Sequence, residues 1–184
     1  MGQQLARLLR TSSAWVARGE TALAGLLAAA VACLILLNVV TRTAGAALFW
    51  VDEVAVYAMV WMAFLGASIT IARRSSVTVT ILVDALPARW RSLIGRLMDW
   101  TILGFALFLL WLCWGWYDLA TLASLNFSLD AFSGETFNFM YREPTQTIGA
   151  PKYFIWLIVP LAAFGMSLHA TANLLPPPAE AGAP

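Results

Sequence analysis

The chain has 184 residues, 61% of them hydrophobic and 11% charged, with a net charge of +1 and a mean hydropathy of +0.77. That balance excludes a soluble globular domain, and no cluster of Lys or Arg suits nucleic acid. Four stretches, Thr21–Thr41, Val54–Ala72, Trp100–Tyr117 and Tyr153–Leu168, contain no Asp, Glu, Lys, Arg or His. Each reaches, or reaches with polar flanks added, the length a helix needs to cross a hydrocarbon core of roughly 30 Å.

Residues 1–20 predict a short cytoplasmic amphipathic helix. Leu5, Leu8, Leu9, Trp15 and Val16 share an apolar side while Arg7, Arg10 and Arg18 reach for headgroups. Ala44-Gly45-Ala46 resembles a signal-cleavage site. The long polar lead and the length of the apolar run instead predict a retained span at 21–42. Small residues recur along that span at i, i+4 spacing (Gly25, Ala29, Cys33; Ala28, Ala32), as helices that approach closely require. A second span follows at 51–73, with Ala63 and Ala67, and Gly66 and Thr70, on similar lines.

Val77–Leu82 alternates like a strand, but an isolated strand edge would leave backbone groups unpaired at a membrane. A short interfacial amphipathic segment, interrupted near Pro87, is expected there. Spans three and four are expected at 97–119 and 151–174, joined by a long loop, 118–151, rich in Phe and Tyr. Its aromatics point to an ordered structure or a docking surface. A disordered tail, 176–184, is expected after Pro176-Pro177-Pro178.

Eight arginines (Arg7, Arg10, Arg18, Arg73, Arg74, Arg89, Arg91, Arg96) fall on one side of these spans, against Arg42, Arg142 and Lys152 on the other. The fold class is therefore an all-α integral membrane protein with four transmembrane helices, both termini in the cytoplasm. Arg73, Arg74, Arg89, Arg91 and Arg96 are expected to contact cytoplasmic headgroups of the phospholipid bilayer. Trp15, Trp90 and Trp100 mark that boundary, and Trp50, Trp114, Trp116 and Trp156 the outer one. Trp61 and Trp111 lie deeper, where packing on a neighbouring helix and a partner for the indole N–H are expected.

Enzyme chemistry lacks its parts. One His cannot supply paired haem ligands, and Cys33 and Cys113 sit mid-span, where a thiol behaves as a small apolar group. No His/Cys/carboxylate cluster suggests a metal site, so neither metal nor cofactor is expected. His169 reads as an interfacial or helix-packing residue. The acids Glu20, Asp52, Glu53, Asp99 and Asp118 stand at span ends, leaving no embedded coupling group for a self-contained homo-oligomeric transporter, the alternative reading.

The densest cluster runs from Asn38 and Arg42 through Trp50, Glu53, Tyr57, Trp61, Phe64 and Gly66. Helical spacing places Trp50, Glu53, Tyr57, Trp61 and Phe64 near one face, with Asp52 about 100° from Glu53. Arg42 can reach Glu53, either as an ion pair fixing the hairpin or as a subunit contact. This run resembles the small membrane subunit of tripartite ATP-independent periplasmic (TRAP) transporters, the DctQ-like family. The resemblance rests on Asn38 and Arg42, Trp50 and Glu53, Trp61 with Phe64-Leu65-Gly66, the basic turn Arg73-Arg74, the segment Val77 to Pro87, and Gly149-Ala150-Pro151-Lys152 with Pro160. It departs from the family at Ser75-Ser76, where many members have His, and in the length of loop 118–151.

The resemblance implies a bacterial inner-membrane scaffold subunit. Its partners would be a large permease subunit, which holds the substrate and sodium sites, and a periplasmic substrate-binding protein that delivers an organic acid. Asn38, Arg42, Trp50, Glu53, Tyr57, Trp61, Phe64 and Gly66 would then shape the hairpin and partner contacts. Loop 118–151 would be a docking surface for the binding protein.

Overall fold

The computed structural model describes residues 2–74 and 87–175. Helix α1 (Gly2–Thr43) runs unbroken for 42 residues. At 1.5 Å per residue it is about 63 Å long, roughly twice a bilayer core. The amphipathic segment expected as a separate helix at 1–20 is therefore the continuation of span one, because nothing between Arg18 and Thr21 breaks the backbone ladder. Helix α2 (Phe49–Arg73) returns antiparallel and ends at Arg74, whose positive φ of 50° lets its N–H close on the carbonyls of Thr70 and Ile71. Helix α3 spans Ala88–Tyr117, and two short helices, α4 (Leu119–Ser124) and α5 (Leu129–Thr136), form the following loop. Helices α6 (Lys152–Trp156) and α7 (Ile158–Leu174) make the last crossing. Among the described residues, four segments are thus long and apolar enough to cross a membrane. The interfacial segment expected before Pro87 and the tail expected after Pro176 lie outside the described residues.

Helix α7 is the hub, packed on α1, α2 and α3, while α1 also packs along α2. Its Ile158, Ala162, Ala163, Met166 and Ala170 are almost fully buried. Short side chains at these positions let three helices close on it at once. The outward small residues of span one behave differently. Gly25, Ala28, Ala29, Ala32 and Cys33 all face away from the bundle, so Cys33 is exposed and only Cys113 is buried. Trp111 also departs from expectation. It is 67% exposed and touches Phe108 at 5.7 Å between ring centres, because the inward face of α3 is taken by Ala106 and Cys113.

The break between α6 and α7 has a local cause. Pro160 has no N–H to give the carbonyl of Trp156, and its ring crowds that turn. Near the break, the Ile155 carbonyl accepts a 2.9 Å hydrogen bond from the Trp61 indole. In a membrane interior no water would satisfy that carbonyl or that N–H. Trp61→Phe, which keeps the ring and removes the donor, is expected to cost about 1–3 kcal/mol in a detergent unfolding measurement.

Loop 118–151 folds into a cap with its own small core of Tyr117, Leu122, Phe132, Met140 and Tyr141, against which Leu125, Tyr153 and Leu157 pack. Asp118 and Ser128 cap the two short helices by accepting from Thr121 N and Ala131 N. The Tyr141 hydroxyl donates to the Tyr117 carbonyl at 2.5 Å, and the Tyr117 hydroxyl to the Tyr153 carbonyl at 3.1 Å. Burial pushes the Tyr141 hydroxyl above its ordinary pKa. The aromatic residues therefore serve order within the loop, although Phe127, Phe137 and Phe139 remain exposed on it.

Candidate functional site

At the loop end of the bundle, Arg42 does not pair with Glu53. Its guanidinium meets Asp52 at 2.5 Å and donates through Nε to Asn38 Oδ1 at 2.8 Å, while Asn38 Nδ2 donates to Asp52. The expected Arg42–Glu53 pair is thus replaced by an Asn38–Arg42–Asp52 triangle. The reason is angular. The step of about 100° between neighbouring helix positions turns Asp52 towards α1 and Glu53 away from it. Both partners are about half exposed, at 57% and 47%, so the pair is worth at most about 1 kcal/mol. A double-mutant cycle is expected to give coupling of that order between Arg42→Ala and Asp52→Ala, and none between Arg42→Ala and Glu53→Ala.

Glu53 instead reaches across to the chain leading into α6. Its carboxylate accepts from the backbone N–H groups of Gln146 (2.7 Å), Thr147 (2.7 Å) and Ile148 (3.3 Å), from the Thr147 hydroxyl, and from the Tyr57 hydroxyl (2.7 Å). The segment it grips is closed by Thr145 N donating to Ala150 O at 2.8 Å and Lys152 N to Glu143 O at 2.9 Å, with Gly149 at positive φ making the turn. An ionised carboxylate can accept several such bonds, and each is stronger for its charge. One side chain on α2 therefore fastens a turn some ninety residues away in sequence.

At the opposite end, which carries the termini, lies a buried polar cluster, two of whose members, Glu20 and His169, the sequence reading placed at separate span ends. Glu20 of α1, Ser68 of α2 and His169 of α7 are all buried. Ser68 Oγ donates to Glu20 Oε1 at 2.7 Å, His169 Nε2 lies 3.2 Å from Glu20 Oε2, and His169 Nδ1 lies 2.7 Å from Ser13 Oγ. A ring protonated on Nε2 satisfies every member: Ser13 donates to Nδ1 and Nε2–H donates to Glu20. The cluster fits because residue 165 is glycine, since a Cβ there would fall 2.7 Å from Ser68 Oγ and closer still to Glu20 Oε1. His169 is thus a packing residue, as expected, but it packs by joining three helices through polar atoms. Asn173 Nδ2 donates to Ile71 O at 2.9 Å and ties α7 directly to α2.

The remaining predicted residues divide between faces. Trp61 and Tyr57 face α6 and Glu53, whereas Trp50 is 42% exposed at the mouth of α2. Among the described residues no atom lies within 4 Å of a Cβ placed on Gly66, so no described helix approaches it closely. The packing face of α2 is Val51, Ala55, Ala58, Leu65 and Ser68, a line the sequence reading did not single out. Arg73, Arg74, Arg91 and Arg96 line a common cavity, while Arg89 lies apart with its guanidinium over the Trp90 ring at 5.4 Å.

Four apolar crossings tied to one another by side-chain hydrogen bonds define an all-helical, multi-pass membrane protein. The chain belongs to the DctQ family: the description "Tripartite ATP-independent periplasmic transporters, DctQ component" matches residues 31–176. It is also similar to the isethionate TRAP transporter permease protein DctMQ of Oleidesulfovibrio alaskensis, at 25% identity over 130 residues. That match covers 71% of this chain and 18% of the relative, so the chain spans under a fifth of the length of the curated protein it matches. No solved structure matches. The protein is thus a small permease component of a TRAP transporter.

Proposed function

We propose that this subunit is the static scaffold of its transporter. It would hold a large permease subunit in the bacterial inner membrane for sodium-coupled, binding-protein-dependent uptake of an organic acid. Both termini would face the cytoplasm, and the 118–151 cap would meet the periplasmic binding protein. The observation that carries this reading is the use made of polar side chains within the crossings. Glu20, Ser68, His169, Trp61 and Asn173 are each bonded from one helix to another, which fixes the bundle and leaves its outer faces apolar for packing. The relative whose name joins DctM and DctQ supports the pairing with a larger permease.

The buried Glu20–His169 pair favours a second reading, a self-contained transporter, because embedded ionisable groups commonly mark ion pathways. Against it, Glu20 and His169 are held by neighbouring side chains on three helices, and Gly165 leaves their carboxylate no added room. Affinity purification of the tagged chain from its native membrane in mild detergent tests the proposal. A larger polytopic protein recovered in one-to-one ratio supports the scaffold. Recovery of this chain alone, under conditions that keep other membrane complexes intact, overturns it.

A further inference from the structure

We propose that Phe137 and Phe139 anchor the 118–151 cap in the interfacial layer of the bilayer leaflet beneath it. Phe137 closes α5 in the left-handed conformation, with a φ of 55°, its N–H donating to the Ser133 carbonyl at 3.1 Å. Glycine usually fills that position, because a side chain there crowds the backbone. A bulky residue held left-handed is an outlier, and such strain is kept where the side chain has a use. That use is not packing within the protein. The Phe137 side chain is 80% exposed, and Phe139, two residues on, is 57% exposed. The core of the cap takes Phe132, Met140 and Tyr141 instead, which flank this pair in sequence.

A tether fixes the level at which these rings lie. Asn138, between them, donates through Nδ2 to the carbonyl of Trp116 at 2.7 Å. Trp116 stands at the end of α3 and meets Trp156 of α6 edge to face, with ring centres 5.8 Å apart. Both tryptophans are 38% exposed, as suits a membrane–water boundary, where the apolar ring and the polar N–H each find their medium. The stretch 137–139 is thus tied to this boundary, and its rings continue the apolar surface that the crossings present to lipid. Charge sorts the same way. Residues 136–141 carry none, whereas Asp130, near the other end of α5, pairs with Arg142 with its side chain 83% exposed. The anchor sets the height of the cap above the bilayer. It bears on the cap's core through Met140 and Tyr141, and on the turn gripped by Glu53 through residues 142–145. It needs only the crossings, so it stands or falls apart from the scaffold reading.

The unaltered full chain tests the anchor in nanodiscs of phosphatidylethanolamine and phosphatidylglycerol that include a lipid with a diazirine near its glycerol. After photolysis, peptide mass spectrometry is expected to find lipid adducts on residues 137–139 and none on residues 129–131. Spin labels give a second measure, placed singly at Phe137→Cys, Phe139→Cys or Asp130→Cys in a chain carrying Cys33→Ala and Cys113→Ala. Labels at 137 and 139 are expected to lose most of their collisions with an aqueous nickel chelate while keeping those with oxygen. The label at 130 is expected to keep both, and elution as a monodisperse peak verifies that each variant folds. Absence of adducts at 137–139, or labels there as open to nickel as the one at 130, would overturn the proposal. Shielding that arises only when the large permease subunit or the binding protein is added would assign the rings to that protein and overturn it as well.

Discussion

Alanine at Glu53 is expected to release the 145–150 turn while the four crossings remain assembled. Three backbone N–H groups and one hydroxyl of that turn end on this one carboxylate, and the Tyr57 hydroxyl supports it from below. Without the carboxylate the turn keeps its own closure, Thr145 N to Ala150 O, but loses its hold on α2. Amide hydrogen exchange at Gln146, Thr147 and Ile148 reads this directly. Exchange is expected to speed up about tenfold or more in Glu53→Ala, because these N–H groups then lack a protein acceptor. Glu53→Gln is expected to fall between, since an amide oxygen accepts without charge and its NH2 confronts further donors. Unchanged exchange in Glu53→Ala would show that the turn is held by its own closure. Because this turn leads from the cap into α6, the proposed role of the cap predicts a parallel loss of binding-protein-dependent uptake.

Alanine at Glu20 is expected to have the largest effect on stability of any single substitution. It strands the buried His169 Nε2–H and Ser68 hydroxyl without their acceptor, and each buried donor left unpaired costs about 1–3 kcal/mol. On the scaling for chains of this size, the thermal midpoint in detergent should drop on the order of 10 °C. Gly165→Ala should approach the same loss by a different route. Alanine is the better helix former by about 1 kcal/mol. That gain is outweighed, because the added methyl would displace the Glu20 carboxylate and the Ser68 hydroxyl together. Replacing the buried group by apolar residues (Glu20→Leu, Ser68→Ala, His169→Leu) should recover much of the loss, since only the part-buried Ser13 hydroxyl then lacks its partner. A triple variant as unstable as Glu20→Ala would mean that size, not polar pairing, sets the cost.

The crossings were legible because charge is so costly in hydrocarbon that its absence over four runs marks them. The partners of the polar side chains were legible only in part. That the Trp61 indole needs an acceptor follows from its depth, but the acceptor is a carbonyl near the Pro160 break, which depends on how α2 and α6 come together. Arg42 had two acidic neighbours in reach, and the rotation of α2 against α1 decided for Asp52. The grip of Glu53 on residues 146–148 left no trace in composition, because its donors are mainly backbone N–H groups. The Glu20–His169 pair did leave a signal that sequence reading passed over: each stands at the edge of a charge-free run, on the same side of the membrane. The unbroken α1 and the outward Trp111 follow from packing that no single helix reveals.

Uptake into proteoliposomes measures the central claim most directly. This chain, the large permease subunit, and the two together would be reconstituted under a sodium gradient with the binding protein outside. The account predicts substrate accumulation with both subunits and none with this chain alone. Uptake by this chain alone would contradict it and make the buried Glu20–His169 pair the first place to look for an ion pathway.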